Sequence, residues 1–267
     1  MNIDFSACAT IKGENQKPLI TERLARFGRS RPSIKEIAET AIKRGLDGIV
    51  LRSFSHSEGT DNRWNEYLKQ MERLEGFTCF GNGTASYISP DSEKKLVIIH
   101  GQGLMTYEGN IQVLFAERTV GKRGSKFDGD FSYLIKEARD SGENVLITAG
   151  RPYTFADRLL ESVDALETWN GMDSVENNER SDQIAKRLEK PGVYVSNAKC
   201  LHDLGRSYTT LDFFGHYQSP VGIAKATRRS LNLRLDKDLG GEKGFSTLSK
   251  LVQALAIAEV KLTGNKD

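Results

Sequence analysis

The sequence is poor in the residue types that build disulfide frameworks and metal centres. It has three cysteines, Cys8, Cys79 and Cys200, which are scattered and show no C-x-x-C spacing. An odd, dispersed set argues against a disulfide framework or a structural zinc site and is typical of a reducing compartment. The four histidines form no H-x-H, H-x-x-E-H or H-E-x-x-H pattern, so no histidine-based metal motif is present.

Long apolar runs and a strong net charge are also absent. No run approaches the roughly 18 residues needed to cross a bilayer. Residues 1–5 show no basic region followed by an apolar stretch, so we expect neither a membrane span nor a signal peptide. The net charge of +2 gives no global indication of nucleic-acid binding. These absences predict a cytoplasmic protein.

Short apolar runs alternate instead with amphipathic helical stretches. Ser33 and Glu36 form a capping box, and Gly45 is a natural helix stop. The predicted apolar helix faces are Ile34, Ile37, Ala38, Ala41 and Ile42, and then Trp64, Tyr67, Leu68, Met71 and Leu74. Strands are predicted at 3–5, 47–51, 78–80, 96–100, 111–115, 145–149, 165–169, 193–196 and 210–213. Further helices are predicted at 131–141, 155–162, 179–189, 223–230 and 248–261.

This alternation predicts an α/β fold with a parallel sheet covered by helices. The chain has 267 residues and no convincing linker, so we expect one domain over 1–267. Its core would cover about 1–215, and 216–267 would form a C-terminal helical extension. Residues 121–129 and 236–244 are predicted to be loops.

The ends of the predicted strands are the places to look for function, because α/β barrels carry their chemistry there. The corresponding segments are Asp4–Thr10, Leu51–His56, Gly81–Ser86, His100, Thr148–Tyr153, Glu167–Gly171 and Ser196–Lys199. Their order and spacing resemble the PHP family, the polymerase and histidinol phosphatase barrel. The matching segments are Asp4–Ala9, Gly45–Ile49 with Ser53 and Phe54, Gly83–Ala85, Ala149–Pro152, Glu167–Gly171 and Ser196–Lys199.

The resemblance extends from Ile3 to Leu211. It implies a distorted (β/α)7 TIM-like barrel with a cluster of Zn²⁺, Mn²⁺ or Fe ions that activates water against a phosphoester. Nearly every ligand position of the family is changed in this chain. The residues at those positions are Ser6, Cys8, Ser53, Phe54, Ala85, Gly150 or Arg151, Asn197 and Lys199, and only His100 falls where a ligand histidine is retained.

We therefore expect no metal cofactor. The candidates for a residual metal ion are Asp4, Cys8, His100 and Glu167. The substitutions also bring three cations to the strand ends, which would neutralise an anion without a metal. The anion-binding candidates are Arg52, Arg151, Lys199, Asn197, Ser6 and Asn170. Alternatively, the cations pair with Asp4, Glu167 or Asp203 and close the mouth as a salt-bridged plug.

The sequence thus predicts a non-catalytic PHP-like barrel that acts as a binding, regulatory or scaffold subunit. Its expected partners are a phosphate-containing ligand, a nucleic acid or another protein. The basic segments 122–126 and 23–31 would contact nucleic acid, and the predicted helix 248–261 would dock a partner or close the barrel. The alternative is a metal-dependent phosphoesterase or nuclease, in which a reduced Zn or Mn site is held by His100, Asp4, Asp203, Glu167 and His202.

Overall fold

A computed structural model describes residues 2–7, 32–54, 60–81, 83–121, 129–198, 201–211, 219–236 and 241–243. Its strands are β1 Asn2–Ala7, β2 Gly48–Phe54, β3 Phe77–Gly81, β4 Thr84–Ile88, β5 Lys95–Met105, β6 Asn110–Leu114, β7 Leu146–Gly150, β8 Ala165–Asn170, β9 Gly192–Val195, β10 Tyr208–Thr210 and β11 Gly241–Glu242. Its α-helices are α1 Ile34–Lys43, α2 Thr60–Arg73, α3 Phe131–Arg139, α4 Asp157–Leu160, α5 Val175–Arg187 and α6 Pro220–Asp236. Two 3-10 helices span Pro152–Thr154 and Leu201–Asp203.

The first two helices form where the sequence pattern predicts them. The Ser33 hydroxyl accepts a hydrogen bond from the Glu36 N–H at 3.2 Å, and the Glu36 carboxylate accepts one from the Ser33 N–H at 2.8 Å. Gly45, with φ of +76°, follows the end of α1, since glycine adopts the left-handed region without a Cβ clash. Both predicted apolar faces pack into one cluster against the outer side of β2 and β5.

The sheet is mixed, so the expectation of a parallel sheet is wrong for several pairs. Parallel pairing joins β1 to β2, β2 to β5, β7 to β8 and β8 to β9. Strand β6 instead runs antiparallel between β5 and β7, and β10 runs antiparallel to β1. Only four residues separate β5 from β6, which is too short for a crossover helix and forces a hairpin.

The barrel interior is filled by apolar side chains in its lower part. They include Ile3, Val50, Val97, Ile99, Leu114, Leu146, Ala165, Val193 and Val195. Helix α6 contributes Ile223, Ala224 and Leu231 to this cluster and so closes the bottom of the barrel. A third cluster packs α3, α4 and α5 on the outer side of β6, β7 and β8.

The barrel closes between β9 and the β1–β10 pair through side chains. The Thr209 hydroxyl accepts from the Tyr194 N–H at 2.7 Å. Next to it, the Asp4 carboxylate on β1 accepts from the Ser196 N–H at 3.1 Å. The seam of this nearly closed barrel is therefore joined by these polar side chains.

Several predicted boundaries need correction. Strand β5 does not end at His100 but continues to Met105, because its second half pairs with β6. The segment after Gly83 is not a strand-end loop but β4, which forms a hairpin with β3. Within the predicted loop 236–244, residues 241–242 form β11. The basic segments 122–126 and 23–31, and the predicted helix 248–261, lie outside the described residues. No helix that the structure describes has the length and apolar character of a bilayer span.

Candidate functional site

A buried ion pair occupies the interior of the barrel near the strand ends. Arg52 on β2 and Glu167 on β8 face each other, with 3.6 Å between Arg52 Nη1 and Glu167 Oε1. Both side chains point inward, because each lies two residues after an interior apolar residue of its strand, Val50 and Ala165. Their side chains are only 4% and 2% exposed, so this pair lies out of reach of bulk water.

Two further residues define the surroundings of Glu167. Asn170 donates from Nδ2 to Glu167 Oε2 at 3.3 Å, and its Oδ1 accepts from the Met172 N–H at 2.9 Å. A Cβ built on Gly150 would lie 3.1 Å from Glu167 Oε2, so any side chain at position 150 would press on the carboxylate. Glycine at the end of β7 thus leaves room for the Arg52–Glu167 pair, and the hydrogen bond from Asn170 orients the Glu167 carboxylate.

Asp4 lies on the opposite side of the sheet from this pair. It is in register with Ile49, which belongs to the outer cluster with α1 and α2. Its fully buried carboxylate accepts from the Ser196 N–H and the Gly205 N–H, each at 3.1 Å, and from the Ser196 hydroxyl. Asp4 therefore joins β1 to the segment after β9 at the barrel seam. Most of its oxygen lone pairs accept hydrogen bonds from protein donors.

His100 also faces the outer helical layer. Its ring stacks on Trp64 of α2, with 4.8 Å between ring centroids and 7° between ring planes. Burial lowers the pKa of His100 to about 4, because an imidazolium loses its hydration there. The imidazole is thus a neutral packing element at neutral pH, directed away from Glu167.

Acid should destabilise the fold through His100. The unfolded chain binds the proton at the ordinary pKa near 6.5, whereas the folded state binds it only near 4, so stability falls as the pH drops between these values. The full shift corresponds to about 3 kcal/mol. Urea unfolding at pH 7 and pH 4.5 should show a smaller loss for His100→Phe than for the wild type, because phenylalanine retains the stack but takes no proton. Equal losses in the two proteins would contradict this assignment.

Arg151, directly after β7, is held in an unusual conformation at the barrel mouth. Its φ of 54° and ψ of 62° lie in the left-handed region, which costs a non-glycine residue about 1–2 kcal/mol. Its carbonyl oxygen accepts from the N–H and the hydroxyl of Thr154, at 3.0 and 2.9 Å. Its Nε lies 3.3 Å from Asp173 Oδ2, and its side chain is 43% exposed. Arg151 is thus a fixed, accessible cation on a strained backbone.

Asp173, in the loop after β8, connects Arg151 to two neighbouring elements. Its Oδ2 also accepts from the Tyr153 hydroxyl at 2.6 Å, and its Oδ1 accepts from Asn177 Nδ2 at 2.9 Å. Burial and this hydrogen bond raise the pKa of Tyr153 far above its usual range, so the hydroxyl keeps its proton. The loops after β7 and β8 are therefore joined at the mouth by one carboxylate.

The structure describes the remaining predicted site residues only in part. Asn197 has a φ of 49°, a left-handed conformation that asparagine tolerates, and is partly exposed after β9. Ala85 lies within β4 in the outer cluster, so its place at a strand end was predicted wrongly. Ser6 lies on β1, whereas Cys8 and Lys199 are outside the described residues.

The described residues do not fit a multinuclear metal centre. Among them, no group of three or more His, Cys, Asp or Glu side chains is placed to hold a metal ion. Glu167 faces the interior and Asp4 and His100 the outer layer, so the reduced ligand set is divided between two sides of the sheet. The guanidinium of Arg52 beside Glu167 would in addition repel a divalent cation.

Sequence reasoning missed Asp173 and Tyr153. Asp173 lies two residues beyond the strand-end segment Glu167–Gly171, whereas Tyr153 is the last residue of the segment Thr148–Tyr153 but was assigned no role there. The available signal was Ser174, which caps α5 by accepting from the Asn177 N–H at 3.2 Å. A cap at this position places the preceding aspartate beside the first turn of a helix, at the mouth.

Comparison with known proteins bears on the fold. No protein-family model matches the chain, and no curated protein matches it significantly. PsfC from Pseudomonas syringae aligns over 98% of both chains, with a TM-score of 0.60 and 13% identity. A two-domain protein from Bacteroides vulgatus, which contains a predicted PHP-like metal-dependent phosphoesterase, aligns over 97% of this chain and 69% of its own, with a TM-score of 0.52 and 12% identity.

At such identities the likeness concerns the fold and does not extend to activity. The mixed, nearly closed barrel, its helical layer and these structural neighbours agree with the architecture that the strand-end segments predicted. The chain therefore has the barrel fold of the PHP-like phosphoesterases, and its described residues lack a cluster of metal-binding side chains.

Proposed function

We propose that this PHP-type barrel is a metal-independent binding protein that holds a small anion, such as a phosphate group, at Arg151, and that it does not hydrolyse phosphoesters. The observation that carries the proposal is the state of Arg151. It is an accessible arginine on a left-handed backbone, fixed by Thr154 and Asp173 at the end of a barrel strand. Strain of this kind persists where the surrounding structure enforces it, and it occurs preferentially at functional sites.

The interior ion pair supports the non-catalytic part of the proposal. A catalytic metal cluster needs several anionic and neutral donors that converge on one point. Here Arg52 lies beside one oxygen of the interior carboxylate Glu167, and Asn170 donates a hydrogen bond to the other oxygen. Because a guanidinium already neutralises this carboxylate, the interior favours a fixed ion pair over a metal ion.

Ligand class and activity are tested together on the purified wild-type protein. Isothermal titration with inorganic phosphate, a nucleotide and a single-stranded oligonucleotide should show binding of at least one of them. Elemental analysis should find no stoichiometric Zn or Mn, and a generic phosphodiester substrate should not be cleaved. Stoichiometric metal together with hydrolysis would overturn the proposal in favour of a metal-dependent phosphoesterase. If none of the three ligands binds, the proposal of an anion site at Arg151 is wrong.

The variant Arg151→Gly separates function from stability. Glycine relieves the left-handed strain, about 1–2 kcal/mol, and this offsets the loss of a partly exposed ion pair, about 0–1 kcal/mol. We therefore expect the free energy of unfolding to be retained or raised while phosphate binding is lost. Arg187→Gln is the matched control, because Arg187 pairs with Asp157 at 2.7 Å on the exposed side of α5 and should not affect binding. Unchanged phosphate affinity in Arg151→Gly would refute the role of Arg151.

A further inference from the structure

We infer that Asp173 is a positioning residue, which fixes the guanidinium of Arg151 in the orientation that receives the anion. The inference rests on the proposed function and deepens it, because it assigns a role to a carboxylate outside the strand-end motifs. It also explains why a negative charge stands beside an anion site. Without such a role, Asp173 would only weaken anion binding through repulsion.

The first support is the number of contacts on the Asp173 carboxylate. Oδ2 accepts from the Tyr153 hydroxyl at 2.6 Å and lies 3.3 Å from Arg151 Nε. Oδ1 accepts from Asn177 Nδ2 at 2.9 Å and from the Ser174 N–H at 3.1 Å. The side chain is only 10% exposed. Because its two oxygens accept from donors on different elements, the carboxylate is held in one orientation. Its contact with Nε therefore holds the Arg151 guanidinium in a fixed orientation as well.

The second support is that Tyr153 is itself held in place. Its ring lies under the guanidinium of Arg180 on α5, with 6.0 Å between the guanidinium carbon and the ring centroid. Its backbone belongs to the 3-10 helix Pro152–Thr154, which packs against α5. A tyrosine fixed by its ring face and by its backbone is a rigid donor to Asp173.

The third support is the division of contacts on Arg151. Asp173 contacts it through Nε at 3.3 Å, while 43% of the Arg151 side chain is exposed. The backbone is fixed separately through Thr154. One edge of the guanidinium is thus used for positioning, which is the arrangement expected for an arginine whose remaining N–H groups bind a ligand.

Asp173→Asn tests the inference because two effects oppose each other in it. Removal of the negative charge alone would strengthen phosphate binding through Coulomb attraction. Asparagine has one acceptor oxygen where the carboxylate has two, so it cannot accept from both Tyr153 and Asn177 as Asp173 does. The less fixed guanidinium would weaken binding by about tenfold. The sign of the change in the dissociation constant therefore distinguishes a positioning residue from a nearby charge.

The experiment compares wild type, Asp173→Asn and the matched control Asp157→Asn, which breaks the exposed pair with Arg187. Titration with inorganic phosphate gives the dissociation constant, and the NMR signal of the Arg151 Nε–Hε group reports its environment without ligand. We expect weaker phosphate binding and a shifted Arg151 signal in Asp173→Asn only. Thermal melts establish that each variant is folded, and Tyr153→Phe, which removes one donor, should show the same changes at smaller size.

The outcomes are separable. Equal or tighter phosphate binding by Asp173→Asn, or an unmoved Arg151 signal, overturns the positioning role while the proposed function stands. A wild-type protein that binds neither inorganic phosphate nor the nucleotide nor the oligonucleotide refutes the proposed function, and with it the ligand part of this inference. If only one of the larger ligands binds, that ligand replaces phosphate in the same comparison of variants. An Arg151 signal that shifts in the Asp157→Asn control as well contradicts a role specific to Asp173.

Discussion

Replacing Arg52 with methionine is expected to lower the free energy of unfolding by about 3–5 kcal/mol. The change leaves the Glu167 carboxylate buried without its cation, in an interior where its side chain is 2% exposed. Methionine fills much of the volume of the arginine stem, so the loss reports mainly the unpaired charge. Urea unfolding followed by circular dichroism measures the effect.

The double variant Arg52→Met/Glu167→Leu gives the decisive comparison. If burial of an unpaired charge causes the loss, removing both charges should restore most of the stability, because buried pairs contribute little net energy relative to apolar residues. The exposed pair of Arg187 with Asp157 is the control, and Arg187→Met should cost at most about 1 kcal/mol. A double variant no more stable than Arg52→Met would contradict the account, as would a single variant that loses no stability.

Replacing Asp4 with alanine is the second change with a large expected effect. The Asp4 carboxylate accepts from two backbone N–H groups, those of Ser196 and Gly205, and from the Ser196 hydroxyl. Its removal leaves these buried donors unpaired at the seam where the barrel closes, and we expect a loss of about 3 kcal/mol or more. Thermal unfolding and hydrogen exchange at the Ser196 and Gly205 amides measure it.

Two comparisons identify the cause of that loss. Ser196→Ala removes the hydroxyl, which also accepts from the Ala198 N–H at 3.3 Å. It should cost about 1–2 kcal/mol, since the two N–H donors to Asp4 keep their acceptor. A metal ligand would behave differently, because Asp4→Ala would then remove bound metal and leave the metal-free protein as stable as before. An Asp4→Ala variant as stable as Ser196→Ala would show that the Asp4 carboxylate contributes little.

The sequence was sufficient for the parts of the fold that local chemistry specifies. Helix α1 follows from a capping box and a 3.6-residue apolar period, and both are present as predicted. The predicted strands lie within a few residues of the observed ones, because a short apolar run bounded by turn residues can form few structures other than a strand. The antiparallel β6 was missed because β5 was expected to end at His100 instead of Met105, which concealed the short connection to β6. The β3–β4 hairpin was missed because no strand was predicted at Thr84–Ile88.

The candidate site shows the same division. The sequence pointed to Arg52, Arg151, Glu167 and Asn170 as strand-end residues, and it left open whether the cations bind an anion or pair with carboxylates. The structure pairs Arg52 with Glu167 and Arg151 with Asp173. Asp173 was missed because its contact with Arg151 joins loops after two different strands, and no spacing within one segment encodes such a contact.

The sequence by itself determined which residue types stand at the strand ends, and hence that the ligand set of the resembling family is not retained. Only the tertiary structure decided where those residues point. Alternation along β1 and β5 directs Asp4 and His100 to the helical layer, whereas alternation along β2 and β8 directs Arg52 and Glu167 to the interior. The physical reason is that a one-residue difference in strand register reverses the side of the sheet, and register is fixed by the pairing of strands distant in sequence.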